Sequence, residues 1–464
     1  MILAAALAAL FQAPVPPRTL CVGPGAAYAT PAAALAAARQ GDTVRVARGT
    51  YRGALVVSIP RLVLLGEPGA TIDGGRRGTA VAVRNADGAV VDGFTIRESG
   101  RSLDDDDAAV KLFHSNGVRI SRNRIGRSLH GIYLQEADDA VVEANTIVGD
   151  TALAEPRRGN GIHLFNSHRA RVVGNVITLT RDGIYFAGAN ENRIERNDVS
   201  RVRYGVHYMY SDDNVFEGNR FTANAAGAAI MSSRRITFRG NLFARHVGYR
   251  AYGILLQSGE YVTAERNRIE GNLTGIFLDA SLHCVFRGNA IVGNGVGVDL
   301  TASSEDNLFA GNAITGNRTD VVNLLGEGEN RWSENGRGNW WGRGTAFDLD
   351  GDGVGDRPFR AGDAFASLAE SRSVLEVWVG TPAARALSWA EEAFPVFGMA
   401  HVEDPHPLVR PPAGVLAAPE ERAGGRHALR AEVLLPLAGL KLAFAGLVGW
   451  RLRRRVRGKA SAAR

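Results

Sequence analysis

The sequence predicts an all-β chain: a right-handed parallel β-helix with coils of about 22 residues, an N-terminal capping helix and a C-terminal helical, membrane-associated tail. Two periodic signals carry this prediction. The phrase Gly–apolar–variable–apolar begins at Gly131, Gly161, Gly183, Gly205, Gly227, Gly253, Gly275 and Gly297, with steps of 30, 22, 22, 22, 26, 22 and 22 residues. An asparagine recurs in phase with it, at Asn123, Asn145, Asn175, Asn197, Asn219, Asn241, Asn267, Asn289 and Asn312. Asparagine tolerates left-handed backbone and bonds to its own turn, so one per repeat marks one corner of each coil. A third observation, 56 glycines without a collagen period, suits a fold made of many turns.

In chain order, residues 1–20 read as a signal segment: an apolar run from Ile2 to Phe11 fits the core of an export signal and is too short to span a bilayer. Thr30-Pro31 opens a helix running to Gln40, with Thr30 as N-cap and Pro31 in the first turn, and Gly41 stops it. Such a helix covers the open end of a stack. Short alternating runs at 43–47, 55–59, 62–65 and 80–83 are strands separated by Gly, Pro and Asp turns. The β-helix is expected over residues 25–362, with Trp332, Trp340 and Trp341 closing its far end. A helical and extended docking segment follows at 363–430, its helix opening at Thr381-Pro382. Residues 431–464 form a hydrophobic helix and a basic tail. The apolar run at 433–450 is 18 residues, about 27 Å as a helix, and either spans a bilayer or lies on its surface.

The net charge of +6 does not signal nucleic acid. Residues 451–464 hold seven Lys or Arg and no acid, which leaves 47 basic against 48 acidic residues in the rest. Under the positive-inside rule that cluster stays cytoplasmic and the body faces the exported side. Two cysteines, Cys21 and Cys284, are too few for a disulfide framework and read as unrelated thiols.

Strand alternation sorts the glycine phrase. Positions one and three after Gly are apolar and face the core; positions two and four face outward. Position two gives Tyr133, His163, Tyr185, His207, Ala229, Leu255, Phe277 and Asp299, and position four includes Phe165, Met209 and Met231. Met209 and Met231 hold the same place in successive coils, two residues from the column of His207. The insertions of 8 and 4 residues, around 150–158 and 245–250, emerge just ahead of this strand and bracket the patch; the second carries His246. Thioether sulfur with imidazole suits Cu(I), so His163, His207, Met209, Met231 and His246 are candidate copper ligands. A protein partner packing on Met and aromatic side chains is the competing reading, and the two are compatible.

Asp348, Asp350, Asp352, the Val354 carbonyl and Asp356 occupy positions 1, 3, 5, 7 and 9 of an EF-hand-like calcium loop with Gly353 at position 6. Position 12 is Phe359, so the usual bidentate acid is missing. The run Asp104–Asp107 reads as a solvated loop rather than a catalytic carboxylate pair.

With these motifs in place, the chain resembles the NosD family. The 22-residue coils, Tyr204-Gly-Val-His-Tyr-Met-Tyr-Ser-Asp-Asp-Asn214, Ala251-Tyr-Gly-Ile-Leu-Leu256, Gly338-Asn-Trp-Trp-Gly342 with the Asp/Gly loop behind it, and Glu403-Asp-Pro405 carry the resemblance over residues 25–412. The resemblance implies a periplasmic accessory protein for copper-site assembly in nitrous-oxide reductase (NosZ), without enzyme activity of its own. Its partners would be an ABC transporter of the NosF/NosY type, a NosL-type copper chaperone and the reductase. Copper would be bound transiently and calcium structurally. The alternative is a carbohydrate-active β-helix, an alginate-type epimerase or lyase, which would show carboxylates, His and basic residues across adjacent outward positions.

Overall fold

The computed structural model describes residues 16–323, 330–342, 347–361, 381–383, 386 and 402–417. The export segment, apart from residues 16–20, lies outside these residues. So do most of the helix expected after Thr381, the apolar run 433–450 and the basic cluster behind it. Among the described residues no helix is long and apolar enough to cross a membrane.

Among the described residues, three parallel sheets of 13, 12 and 12 strands form the walls of a β-helix, successive coils adding strands to each wall. Strands are short because each must turn at a corner after three to nine residues. The wall built from the glycine phrase includes His130–Gln135, Ile162–Phe165, Ile184–Ala187, Tyr204–Met209 and Ala226–Arg234, paired in one constant register: Ile132 with Ile162, Ile162 with Ile184, Ile184 with Val206 and Val206 with Ala228. That register puts equivalent positions of successive coils in columns.

The interior columns are apolar, as the alternation requires: Ile132, Leu134, Ile162, Leu164, Val206 and Tyr208 are fully buried. Aromatic rings stack along the axis, Phe286 on Phe309 at 4.7 Å and Phe309 on Trp332 at 4.5 Å, and Trp341 continues the stack to Phe359 at 4.9 Å. The phrase glycines are not set by left-handed backbone. A Cβ on Gly205 would lie 2.5 Å from the Gly227 carbonyl oxygen, and one on Gly183 would lie 2.6 Å from that of Gly205. Coil-to-coil approach at this column therefore excludes any side chain.

The corner asparagines form a buried ladder. Asn197 donates its backbone N–H to Asn219 Oδ1 at 2.9 Å, and Asn219 does the same to Asn241 at 2.9 Å. Each Nδ2 also donates to the next Oδ1, as from Asn197 to Asn219 at 3.0 Å. The ladder runs past Asn312 to Asn339, whose N–H donates to Asp404 Oδ2 at 2.7 Å. Trp341 Nε1 donates to the same oxygen at 2.9 Å. Asp404 is fully buried, and its strand Val402–Asp404 pairs antiparallel with Phe359–Ala361.

The N-terminal helix is Pro31–Ala37, three residues shorter than expected; Thr30 Oγ1 accepts from Ala33 N–H, and Ala34 and Leu35 are buried in the core. Both cysteines are free. The Asp104–Asp107 run is not simply solvated: Asp107 is buried and accepts the Ser102 N–H at 2.9 Å, and Asp106 approaches Lys111 at 3.7 Å.

Candidate metal centre

The glycine-phrase wall turns a column of rings outward. Tyr133, His163, Tyr185 and His207 follow one another in register, with ring centroids 4.2, 4.5 and 4.8 Å apart. Lys111 extends the column, its Nζ 4.8 Å from the Tyr133 ring. In the neighbouring column Met209 and Met231 are directly paired, both half-buried, and Tyr185 Oη–H donates to Met209 Sδ at 3.7 Å.

Several of these strands begin one residue before the phrase glycine, and the alternation breaks at that glycine: in Tyr204–Met209 both Gly205 and Val206 are buried between Tyr204 and His207. His130, Asn160, Asp182 and Tyr204 occupy the place before the glycine. Asp182 is almost wholly buried and accepts from His207 Nδ1 at 2.9 Å; Arg203 holds it with Nε at 2.8 Å and Nη2 at 2.7 Å. Burial pushes the Asp182 carboxyl up, but the His207 and Arg203 hydrogen bonds outweigh it and hold the group below the ordinary carboxylate range. The carboxylate draws the proton of His207 to Nδ1, which leaves the Nε2 lone pair available as a ligand atom.

His163 is set the other way. Asn160 Nδ2 can only donate, so His163 Nδ1 accepts at 3.3 Å and the proton sits on Nε2, a buried atom without a partner among the described residues. His130 Nδ1 likewise accepts from Asn160 N–H at 3.0 Å. Burial holds both rings neutral, His163 well below its ordinary range and His130 down to about 4, with Lys111 adding to the shift on each.

His163 and His207 are two strands apart with Tyr185 between them, roughly 10 Å. Metal–nitrogen bonds of about 2 Å do not bridge that gap. The structure thus brings together His207, Met209 and Met231, and leaves His163 outside the group. His246 is elsewhere again. It replaces asparagine in a second corner ladder: its ring Nδ1 accepts from the Asn224 N–H at 3.2 Å, and its backbone N–H donates to Asn272 Oδ1 at 3.1 Å. It is buried, and burial pushes its ring down to about 3.

A family model described as "Periplasmic copper-binding protein (NosD)" matches residues 143–345, and a right-handed β-helix model matches 67–199, which fixes the hand of the coil. A protein named "Probable ABC transporter binding protein NosD" from Pseudomonas aeruginosa is 41% identical over 85% of this chain and 94% of its own length. The chain belongs to the NosD family. A second NosD, from Stutzerimonas stutzeri, is 37% identical over 79% of this chain and 87% of its own. Among solved structures, the catalytic unit of a GH87 alpha-1,3-glucanase from Streptomyces thermodiastaticus matches at 18% identity with a TM-score of 0.50, over 67% of this chain and 65% of that one, a likeness of fold.

In this NosD-family chain the acidic loop is compact. Asp348, Asp350 and Asp352 each bring an oxygen within 4.8 Å of the others, the one such group of His, Cys, Asp or Glu among the described residues. Gly351 and Gly353 adopt left-handed backbone, at φ 78° and 86°. Val354 bridges to Leu408. Asp356 Oδ2 accepts from Leu349 N–H at 2.7 Å, and Phe359, at the twelfth position, is committed to the ring stack on Trp341. Alternation located His207, Met209 and Met231. It did not locate Asp182, Arg203 or Asn160, which precede the glycines: counted back from the phrase, strict alternation turns Asp182 and Asn160 inward, and only the break at the glycine brings them to this face.

Proposed function

We propose that this protein is a periplasmic copper-handling accessory factor for the assembly of nitrous-oxide reductase, and that His207 Nε2, Met209 Sδ and Met231 Sδ hold Cu(I) in transit. The observation that carries this reading is the buried Asp182–Arg203 pair locking the His207 tautomer beside two register-paired methionines. Met209 and Met231 are about 5 Å apart at the backbone, and three rotatable bonds let each sulfur turn toward the imidazole. A soft donor set of this kind selects a soft cation.

The relatives' name supports an ABC transporter as partner, and the family description supports the periplasm. A NosL-type chaperone as donor, the reductase as recipient and a membrane contact through residues 433–450 complete the proposal. An enzyme role on uronate polymers is disfavoured by Asp182: a carboxylate clamped by Arg203 and His207 beneath the surface is no free acid or base. Calcium bound by Asp348, Asp350, Asp352, Asp356 and the Val354 carbonyl would brace the end of the β-helix.

Cu(I) competition titration tests the central claim. Wild type is expected to bind one Cu(I), and the triple variant His207→Ala, Met209→Ala, Met231→Ala to lose that binding with its melting temperature retained. Unchanged affinity would refute the ligand set.

A further inference from the structure

The insertion at 245–250 makes a convex ridge on the corner ahead of the glycine-phrase wall. His246 holds the foot of the loop in the corner ladder, and the Leu273 N–H donates to the Ala251 carbonyl at 3.0 Å where the loop returns. Between those ties the chain stands clear. Gly248 bends it at φ 113°, and a Cβ there would meet nothing within 4 Å. The side chains thrown outward are apolar: Val247 is 63% exposed and Tyr249 is 86% exposed. Leu273, 45% exposed, joins them from the next coil. It follows Asn272 as Val247 follows His246, and those two rungs are bonded at 3.1 Å, so Val247 and Leu273 are neighbours.

Single exposed apolar side chains are ordinary on a protein surface, but three gathered on one projecting corner mark a contact. Arginines frame them. Arg245 and Arg250 are exposed, and neither meets an acid among the described residues; the Arg250 guanidinium lies 5.6 Å from the Tyr249 ring. Glu270, at the foot of the next coil, is taken by Arg268 at 2.6 Å. Glu155 belongs to the insertion four coils away, roughly 19 Å along the axis.

An apolar tip with a tyrosine at its most exposed point and unmatched arginines at its base suits the headgroup layer of an anionic bilayer. The convex shape favours lipid over protein, because a protein interface needs a broad complementary surface whereas lipid closes around a projection. The course of the chain agrees. The Leu416 carbonyl, one residue before the last described position, accepts from Arg268 Nη1 at 3.3 Å, and Arg268 lies five residues before Leu273 in the same coil. The polypeptide therefore sets out toward the apolar run 433–450 from the coil that carries Leu273.

We propose that Val247, Tyr249 and Leu273 form an interfacial anchor that enters an anionic lipid surface, with Arg245 and Arg250 on the headgroup phosphates. The inference rests on the membrane contact proposed above for 433–450 and adds a second point of attachment to it.

The test uses the full chain carrying Tyr249→Cys in a Cys21→Ser background, labelled with a polarity-sensitive dye; Cys284 is buried and stays unlabelled. Vesicles of phosphatidylglycerol and phosphatidylethanolamine are compared with vesicles of phosphatidylcholine. The anionic vesicles are expected to shift the dye emission to the blue and to shield it from an aqueous quencher. A dye at Arg193→Cys, exposed on another wall, should be unchanged. Arg245→Gln with Arg250→Gln should raise the lipid concentration for half-shift about 30-fold, about fivefold per charge. Val247→Asp with Leu273→Asp should abolish the shift, and neither pair should change the melting temperature, since all four side chains are exposed. Vesicle-bound protein whose dye at 249 stays in water would overturn the ridge and leave the contact at 433–450 standing. A dye shift and vesicle capture that both survive Leu440→Asp with Phe444→Asp would remove the contact at 433–450 and support the ridge. No shift with anionic vesicles, or a dye shielded by purified nitrous-oxide reductase and not by vesicles, would overturn the proposal.

Discussion

Replacing Asn219 by alanine removes one rung from the middle of the buried ladder. Its Oδ1 accepts from the Asn197 N–H at 2.9 Å and from Asn197 Nδ2 at 3.0 Å; its Nδ2 donates to the Ile194 carbonyl at 2.8 Å and to Asn241 Oδ1 at 2.9 Å. Two of the four partners keep a second bond, Asn197 Nδ2 to the Val172 carbonyl and Asn241 Oδ1 from the Asn219 N–H. The Asn197 N–H loses its bond outright, whereas the Ile194 carbonyl keeps its place in the sheet ladder opposite Val215–Glu217. At about 1–3 kcal/mol for a buried polar group left unmet, the variant should lose about 1–3 kcal/mol. Because a solenoid is held coil to coil, the loss should be local before it is global. Urea midpoints give the total, and hydrogen exchange read by mass spectrometry gives the place: faster exchange in peptides covering residues 190–222. Asn219→Asp should be worse at neutral pH, since it sets a carboxylate against two acceptors. A loss below about 1 kcal/mol, or exchange accelerated equally along the whole chain, would refute the ladder as the element that sets coil stability.

Gly205→Ala should destabilise by at least about 2 kcal/mol, seen in the urea midpoint, because its Cβ would press on the Gly227 carbonyl and on Phe221, neither of which is free to withdraw. Asp182→Asn should weaken Cu(I) binding about 10- to 100-fold in a competition titration while the fold is kept, and 15N spectra should show His207 losing its Nδ1–H preference. Stability should fall with pH below about 6.5. His130 and His246 are held neutral in the fold at about 4 and about 3, so the unfolded chain binds more protons between those values and 6.5. Together they contribute a slope of about 2 kcal/mol per pH unit across pH 4–6, and urea midpoints at pH 7, 6 and 5 measure it. Chelation with EDTA should lower the melting temperature if calcium sits at Asp348, Asp350 and Asp352; an unchanged temperature would remove calcium from the proposal.

The parts of the fold legible in sequence were those that obey one rule repeated. Ile132, Leu134, Ile162 and Leu164 face inward because alternation has no other solution once a glycine fixes the phase. Asn123 to Asn312 mark corners because the same backbone need recurs in each coil. What escaped was set by neighbours rather than by repetition. His246 sits in the insertion but serves as a rung, because the ladder's demand for an acceptor at that corner is met equally by an imidazole nitrogen. His163 shares a column with His207, yet Asn160 and Asp182 give their rings opposite tautomers. Asp107 looks like part of an acidic surface run and is buried by bonds to the loop it closes.

Asp404 gives the ladder an ending with a mechanical meaning. Asn339 ends the ladder among the described residues, and its N–H finds its acceptor 65 residues away in Asp404. The segment that delivers it runs on to Leu416, whose carbonyl accepts from Arg268 three coils back. It behaves as a latch bolted at one end to the final rung and tied at the other to the side of the stack. A pull on the chain beyond residue 417 would reach the Arg268 tie first and the Asp404 bolt second, so tension applied there would be read out as opening of the C-terminal coil.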